Sequence, residues 1–322
     1  MDASAQRFRR DLEALGSPVP QPIGLAVSGG PDSLALLLLA HAAFPGEVRA
    51  ATVDHGLRAG SAAEAEAVAR ICGGLGIPHR TLRATVEPRG EGVQAAARAA
   101  RYAALVAWMR AGDIPLLLTA HHADDQAETL LMRLLRGSGV AGLAGIRASS
   151  ALPTGRLRRP LLGWRRAELA AIVERAGIEA ADDPTNRDDA YDRARLRIRL
   201  AQAPWLDPQP LARSAALLAE AEEALDWAAE RLAAERIAGS EGEATLDPSG
   251  MPSELVRRLV LACLRRVDPA AAPRGEALAR AVGSLAAGET ITLAGVKARG
   301  GPVWRFGPAP PRRPVRPGRA PG

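Results

Sequence analysis

Two short strings in this chain combine residue types that chemistry requires. The first is Ser28-Gly29-Gly30-Pro31-Asp32-Ser33, which follows the apolar run 23–27 and leads into a second apolar run, 34–39. Two glycines allow a tight turn that aims successive backbone N–H groups into one concavity at the positive end of a helix, a nest for an anion. Pro31 suits the first helical position, where its missing N–H costs nothing, and Ser28 and Ser33 add hydroxyl donors. Asp32 narrows the reading. A carboxylate beside a phosphate repels it unless a cation sits between them, so the string implies Mg²⁺. The spacing matches neither GxxxxGK followed by Ser or Thr nor GxGxxG. The plain alternative is a strand-to-helix turn capped by Ser or Asp.

The second string is His121-His122-Ala123-Asp124-Asp125-Gln126-Ala127-Glu128, after the apolar run 116–119. Asp125 and Glu128 are three apart and share one face of a helix, with Leu130, Leu131, Leu134 and Leu135 expected on its buried side. The two carboxylates either complete a Mg²⁺ site with Asp32 or grip an amine. The simpler alternative is acidic residues favoured by the helix dipole. His121 and His122 lack HExxH spacing, and Mg²⁺ prefers oxygen, so they read as orienters or substrate contacts. Asp54 and His55 follow another strand end. Arg98 and Arg101 lie three apart on a helix, placed to bind phosphate or simply solvated. Arg193, Arg195, Arg197 and Arg199 form two adjacent stripes on a helix or one basic face on a strand, fit in either case for an RNA backbone.

These strings need a scaffold. Runs 23–27, 48–53 and 116–119 read as buried parallel strands, with 81–86 a further candidate. Helical patterns at 31–43, 62–75 and 92–110 separate them, and Ser61-Ala-Ala-Glu64 has capping-box spacing. This alternation predicts an α/β fold with a doubly wound parallel sheet. Ligands of such sheets bind beyond the carboxyl ends of the strands, so the loops after Val27 and Thr119 are expected to face one crevice. A helix at 166–176 and a polar turn at 182–189 follow. Pro204, Pro208 and Pro210 mark a linker. The expected domains are 1–210 (catalytic), a smaller, mainly helical 211–307, and a disordered Pro/Arg-rich tail at 308–322. The second domain is expected to hold helices at 211–237, 253–267 and 275–287 and a hairpin at 290–306.

Composition excludes several classes. The 322 residues are 47% hydrophobic and 24% charged, ordinary for a globular chain. No apolar run approaches the roughly 20 residues of a membrane span. Two distant cysteines, Cys72 and Cys263, form neither a disulfide framework nor a metal-ligand spacing, which points to a reducing cytoplasm. The formal charge is +6, and Lys297 is the one lysine. Basic residues concentrate in 156–199 and in the tail, which suits a phosphate-rich partner. Aromatic residues are only 3%, so composition does not advertise base-stacking platforms.

Ser28–Ser33 resembles the SGGxDS loop of the N-type ATP pyrophosphatases. With VDHGLR (53–58), AARAARY (96–102), HHADDQAETLLMRLLRGSG (121–139), Arg159-Pro160-Leu161-Leu162 and Asp183-Pro184-Thr185-Asn186, residues 21–205 resemble the bacterial tRNA(Ile)-lysidine synthetases. The resemblance implies ATP as substrate, Mg²⁺, L-lysine, and a tRNA(Ile) with a CAU anticodon. The wobble cytidine is adenylated at its C2 carbonyl, then attacked by lysine with loss of AMP. Ser28, Gly29, Gly30, Pro31, Asp32 and Ser33 would hold ATP, with Asp32 on Mg²⁺. Asp125 and Glu128 would bind lysine or assist its amine, and Arg101 would contact phosphate or the adenylate. The four arginines at 193–199 would bind tRNA. The second domain is shorter than in longer family members, and a homodimer is one possible assembly. The rival readings are a tRNA 2-thiolation enzyme, a His/Asp metal phosphohydrolase built on His121, His122, Asp124 and Asp125, and a non-catalytic nucleotide-binding module.

Overall fold

The computed structural model describes residues 2–54, 56, 61–84, 93–181, 192–203 and 205–310. His55, the Asp183–Asn186 string and most of the tail lie outside them, as does the side chain of Arg193. The chain divides into two compact units, Met1–Ala219 and Glu220–Gly322.

The first unit runs α1 (Ala3–Ala14), β1 (Ile23–Ala26), α2 (Pro31–Ala43), β2 (Val48–Asp54), α3 (Ser61–Gly74), β3 (His79–Arg83), α4 (Val93–Ala111), β4 (Leu116–Leu118), α5 (Ala123–Leu134), α6 (Val140–Leu143), β5 (Ser149–Leu152), β6 (Gly155–Arg158), α7 (Arg166–Arg175) and α8 (Asp192–Ala201). Its sheet has the order β3-β2-β1-β4-β6-β5. All pairs are parallel except the edge hairpin of β5 and β6. Ile23 of β1 sits between Val48 of β2 and Leu116 of β4.

β1 and β4 read as unbroken apolar strings because both faces of the sheet are covered. On one side Leu25 and Leu118 join Phe8, Leu12, Leu36 and Leu37 in the main core. On the other, Leu117 and Leu157 pack with Leu105 and Met109 of α4. Helix α2 is apolar all round because it is buried among the sheet, α1 and α7. The order reverses between β1 and β4, since β1 feeds β2 on one side while β4 lies on the other. That reversal opens a crevice at the carboxyl ends of these two strands, where both chemistry-bearing strings begin.

One local expectation changes. Leu134 and Leu135 are exposed, at 55% and 81%. Helix α5 instead buries its first half, including Gln126, Glu128 and Leu130. Burying polar residues near a helix start defeats a leucine-counting rule. Ser61 is the first residue of α3, and its hydroxyl donates to Asp54 Oδ1 at 2.6 Å, which ties the end of β2 to that helix.

The two units meet in sequence within α9 (Pro208–Arg236). The second continues with β7 (Ile237–Ala238), β8 (Ala244–Leu246), α10 (Ser253–Val267), α11 (Gly275–Ala286), β9 (Thr290–Leu293), β10 (Val296–Arg299) and β11 (Trp304–Pro308). The expected hairpin belongs to a five-stranded antiparallel sheet, β7-β8-β11-β10-β9. Ala294 and Gly295 both take positive φ, 48° and 79°, which fits a two-residue hairpin turn. β7 and β8 are too short to show alternation in sequence. Leu259, Cys263 and Leu264 of α10 pack with Trp304 and Phe306 in a core of the unit's own. Among the described residues no helix is long and apolar enough to cross a membrane.

Candidate active site

The loop after β1 has the form expected of an anion nest, with its two glycines serving different ends. Gly29 has φ +90°, and a Cβ there would lie 3.3 Å from Val68 Cγ2, so both conformation and space call for glycine. Gly30 is in ordinary extended backbone, and a Cβ on it would meet nothing nearer than Ser28 Oγ at 3.9 Å. Its bare backbone leaves open the space at the start of α2. As N-cap residue it offers no capping oxygen, so the first-turn N–H groups keep the helix's positive end uncapped. Ser33 braces the loop. Its Oγ accepts from Ser28 N–H at 3.1 Å and donates to Gly30 O at 2.9 Å. The Ser28 hydroxyl donates to Ser33 Oγ at 3.2 Å. Ala181 N–H donates to Gly29 O at 3.0 Å, which fastens the chain two residues before the Asp183–Asn186 string to the same loop.

Across the crevice, the loop after β4 ends in His122, the N-cap of α5. Its N–H donates to Asp125 Oδ2 at 3.2 Å, and Asp125 N–H returns to His122 Nδ1 at 3.4 Å, a capping box with histidine in the serine position. The imidazole is fully buried among three carboxylates. Nε2 lies 3.3 Å from Asp32 Oδ2 and 3.4 Å from Asp125 Oδ2, and Nδ1 lies 3.6 Å from Asp124 Oδ2. Burial opposes a charge on this ring, but hydrogen bonding to Asp124 and Asp32 and the field of Asp125 outweigh it and push its pKa up to about 9. Once protonated, Nδ1 no longer accepts and faces Asp124. His122 thus links the two strings electrostatically.

Asp124 and Asp125, adjacent in sequence, face different neighbours. Asp124 Oδ2 accepts from Arg166 N–H at 2.8 Å and from Arg165 Nε at 3.4 Å, which pins the start of α7. Burial opposes its ionisation, yet His122, the Arg166 N–H and Arg165 hold its carboxyl well below the usual range. Asp125 and Glu128 instead share a guanidinium. Arg197 Nε donates to Glu128 Oε1 at 2.6 Å, and its Nη2 to Asp125 Oδ1 at 3.3 Å. Glu128 is only 2% exposed. A cavity of about 530 Å³ opens here, lined by Asp124, Glu128, Arg166, Arg197, Leu200 and Leu206 among others.

The structure therefore brings Asp32, Asp125 and Glu128 together and adds His122, Asp124 and Arg197. Arg101 lies exposed on α4, one residue from Tyr102, whose ring centroid is 5.1 Å from Arg98 Cζ. The segment 193–199 is helical, which settles the helix-or-strand alternative. Arg195 and Arg199 are exposed, whereas Arg197 turns inward. His121 Nδ1 lies 3.1 Å from Thr119 Oγ1. The part played by His122 was readable only as a His-x-x-Asp capping box, an uncommon spelling of that signal.

Replacing His122 with alanine is expected to destabilise the first unit by about 1–3 kcal/mol, because three part-buried carboxylates lose the buried imidazole that sits between them. Urea denaturation measures this, and an unchanged midpoint would refute the linking role.

The comparisons with known proteins agree with this geometry. Residues 4–203 match the PP-loop domain family. The chain is 47% identical over 304 residues to the tRNA(Ile)-lysidine synthase of Zymomonas mobilis, covering 93% of this chain and 92% of that protein. It is 49% identical over 321 residues to the enzyme of that name from Novosphingobium aromaticivorans, covering 97% and 96%. In structure it is similar to the U34-tRNA thiolase NcsA of Methanococcus maripaludis, with a TM-score of 0.54 at 16% identity, covering 67% of this chain and 80% of that one. That likeness concerns the fold. With its ATP-utilising PP-loop domain and with relatives this similar over nearly its whole length, the chain belongs to the tRNA(Ile)-lysidine synthase family.

Proposed function

We propose that this enzyme joins L-lysine to C2 of the wobble cytidine of a tRNA(Ile) with a CAU anticodon, using ATP and releasing AMP and pyrophosphate. Beyond family membership, the observation that carries this reading is the seat of Arg197. Glu128, which lines the cavity, and Asp125 hold a side-chain cation at 2.6 and 3.3 Å respectively. A pair that suits a guanidinium suits the ammonium group of lysine.

The residues divide the work as follows. Ser28–Ser33 and the uncapped start of α2 receive the ATP phosphates. Asp32 fits a magnesium ion, because its Oδ1 is buried without a hydrogen-bond partner, a hard oxygen donor left unsatisfied. Bound there, magnesium would neutralise charge on the phosphates. Arg101 contributes positive charge toward phosphate or the adenylate. The cytidine O2 attacks the α-phosphorus and pyrophosphate leaves. The carboxylates of Asp125 and Glu128 orient the lysine ε-amine and take its proton. The free amine then attacks C2, the C2–O bond breaks, and AMP departs. Arg193, Arg195 and Arg199 are assigned to the tRNA backbone. Arg197, assigned to tRNA by its spacing, is reassigned to the carboxylate pair. A reducing cytoplasm is the matching compartment.

The rival readings fit less well. Thiolation enzymes commonly use clustered cysteines, but Cys72 and Cys263 are buried in different units. Burial pushes their thiols up to about 11 and about 12, away from the reactive thiolate. Among the described residues no group of three or more His, Cys, Asp and Glu is arranged to hold a metal. The acids around His122 surround an imidazole instead of converging on an ion, which weighs against the phosphohydrolase.

The deciding experiment incubates the pure protein with Mg-ATP, unmodified tRNA(Ile) bearing CAU, and labelled lysine. Lysine joined to tRNA with AMP released is expected. AMP without lysine transfer would point to another nucleophile, and no AMP would favour a binding module.

A further inference from the structure

Helix α8 does not stop cleanly at Ala201. Gln202 N–H donates to Arg199 O and Ala203 N–H to Leu200 O, so tighter turns carry the chain past the helix end, and Leu206 N–H donates to Ala203 O in a turn beyond them. The extension has two unlike faces. Arg197, Leu200, Ala203 and Leu206 line the cavity that contains Glu128. Arg195, Ile198, Arg199 and Gln202 are exposed at spacings of three and four along one outer face, and Trp205, in the turn beyond the helix, is exposed as well. In chain order these exposed residues read basic, apolar, basic, polar, aromatic.

Trp205 is the anomaly. It is 81% exposed, while Trp164 and Trp304 are buried at 2% and 3%. Its backbone is nonetheless held. Leu206 turns into the cavity wall, and Asp207 Oδ1 accepts from Arg165 Nη1 at 2.7 Å and from Gln209 N–H at 3.1 Å. A large amphipathic ring is thus presented to solvent next to the anchored residues Leu206 and Asp207, beside the cavity wall and a short way along the chain from two exposed arginines. Loss of water contact rewards whatever covers it. The neighbouring charge favours a polyanion that also carries flat rings, which is the chemistry of single-stranded nucleic acid.

We propose that Trp205 is a stacking platform for an unpaired base of the tRNA, with Arg195 and Arg199 engaging the adjoining phosphates. The inference rests on the functional reading above and adds to its arginines a base-stacking residue that scarce aromatic content argued against. Helix α8 and the turn beyond it would then face RNA on the outside, while Arg197 meets the lysine-binding carboxylates on the inside.

The test compares wild type, Trp205→Ala, Trp205→Phe and Trp227→Phe. Trp227 is a second exposed tryptophan, with Arg231 5.0 Å from its ring centroid. Each protein is titrated with unmodified tRNA(Ile) while intrinsic fluorescence is followed, and then assayed for lysidine. Quenching is expected in wild type and in Trp227→Phe, and most of it should vanish in Trp205→Phe. Trp205→Ala should raise the KM for tRNA about tenfold, the loss of one stacked base. It should leave the KM for lysine unchanged, and phenylalanine should restore most of the tRNA affinity. An unchanged tRNA KM in Trp205→Ala, or quenching retained in Trp205→Phe, would overturn the platform. So would a concentration-dependent mass in wild type that Trp205→Ala abolishes, since the ring would then be covered by a second copy. Binding needs no catalysis. An inactive wild type that still binds tRNA through Trp205 would sink lysidine formation and keep the platform.

Discussion

Asp32→Ala is expected to reduce AMP release by about a thousandfold or more, the scale of removing a charge-organising group from a preorganised site. The loss should fall on chemistry more than on ATP binding. The nest is made of backbone and hydroxyl groups at 28–33, and Gly29 sets its turn without help from the carboxylate. Folding should survive, because His122 keeps Asp124 and Asp125 as partners. Asp32→Asn adds a control. It preserves size and one oxygen but removes the charge, and should be nearly as slow. Rapid-quench measurement of AMP formation with tRNA present gives the answer, and near-normal AMP production in Asp32→Ala would sink the metal-holding role.

Glu128→Gln should affect the second half-reaction. Its carboxylate is almost fully buried and accepts from Arg197 Nε at 2.6 Å. Losing a buried charged hydrogen bond of this kind weakens amine binding by roughly 10–100-fold. The KM for lysine should rise by about that factor. Adenylation measured without lysine should continue, because the phosphate loop stands on β1 and α2 and not on α5. A lysine KM within twofold of wild type would remove Glu128 from the amine site. An equal loss of lysine-independent AMP formation would instead give it a part in adenylation. The two variants thus separate the half-reactions that the two strings are assigned to serve.

Much of this arrangement was legible in the sequence, for identifiable reasons. β1, β2 and β4 are apolar runs bounded by Gly, Pro or polar residues, and helices 31–43 and 253–267 were placed to the residue. The shared crevice followed from strand ends alone. The rest depends on geometry that spacing does not encode. Nothing in Asp124-Asp125 says that one carboxylate pins α7 while the other faces Arg197. The arginine at 197 is indistinguishable by pattern from those at 195 and 199 until the helix phase is known. The setting of the buried His122 ring required three carboxylates from two distant segments to meet. β7 and β8 were lost for lack of length.

The strand order of the first unit has a consequence in time. β1, which carries the phosphate loop, is completed as a central strand only when β4 pairs beside it, roughly ninety residues later in the chain. At a synthesis rate of about 5–20 residues per second, the nascent loop waits about 5–20 s for its neighbour. During that wait one edge of β1 is open, and the long-range parallel pairing that closes it forms slowly. The ribosome and its chaperones therefore meet a half-built nucleotide site before the carboxylates of α5 exist to complete it. A nascent chain stalled before residue 116 should expose an apolar strand edge to holdases and show no protection of the loop against protease.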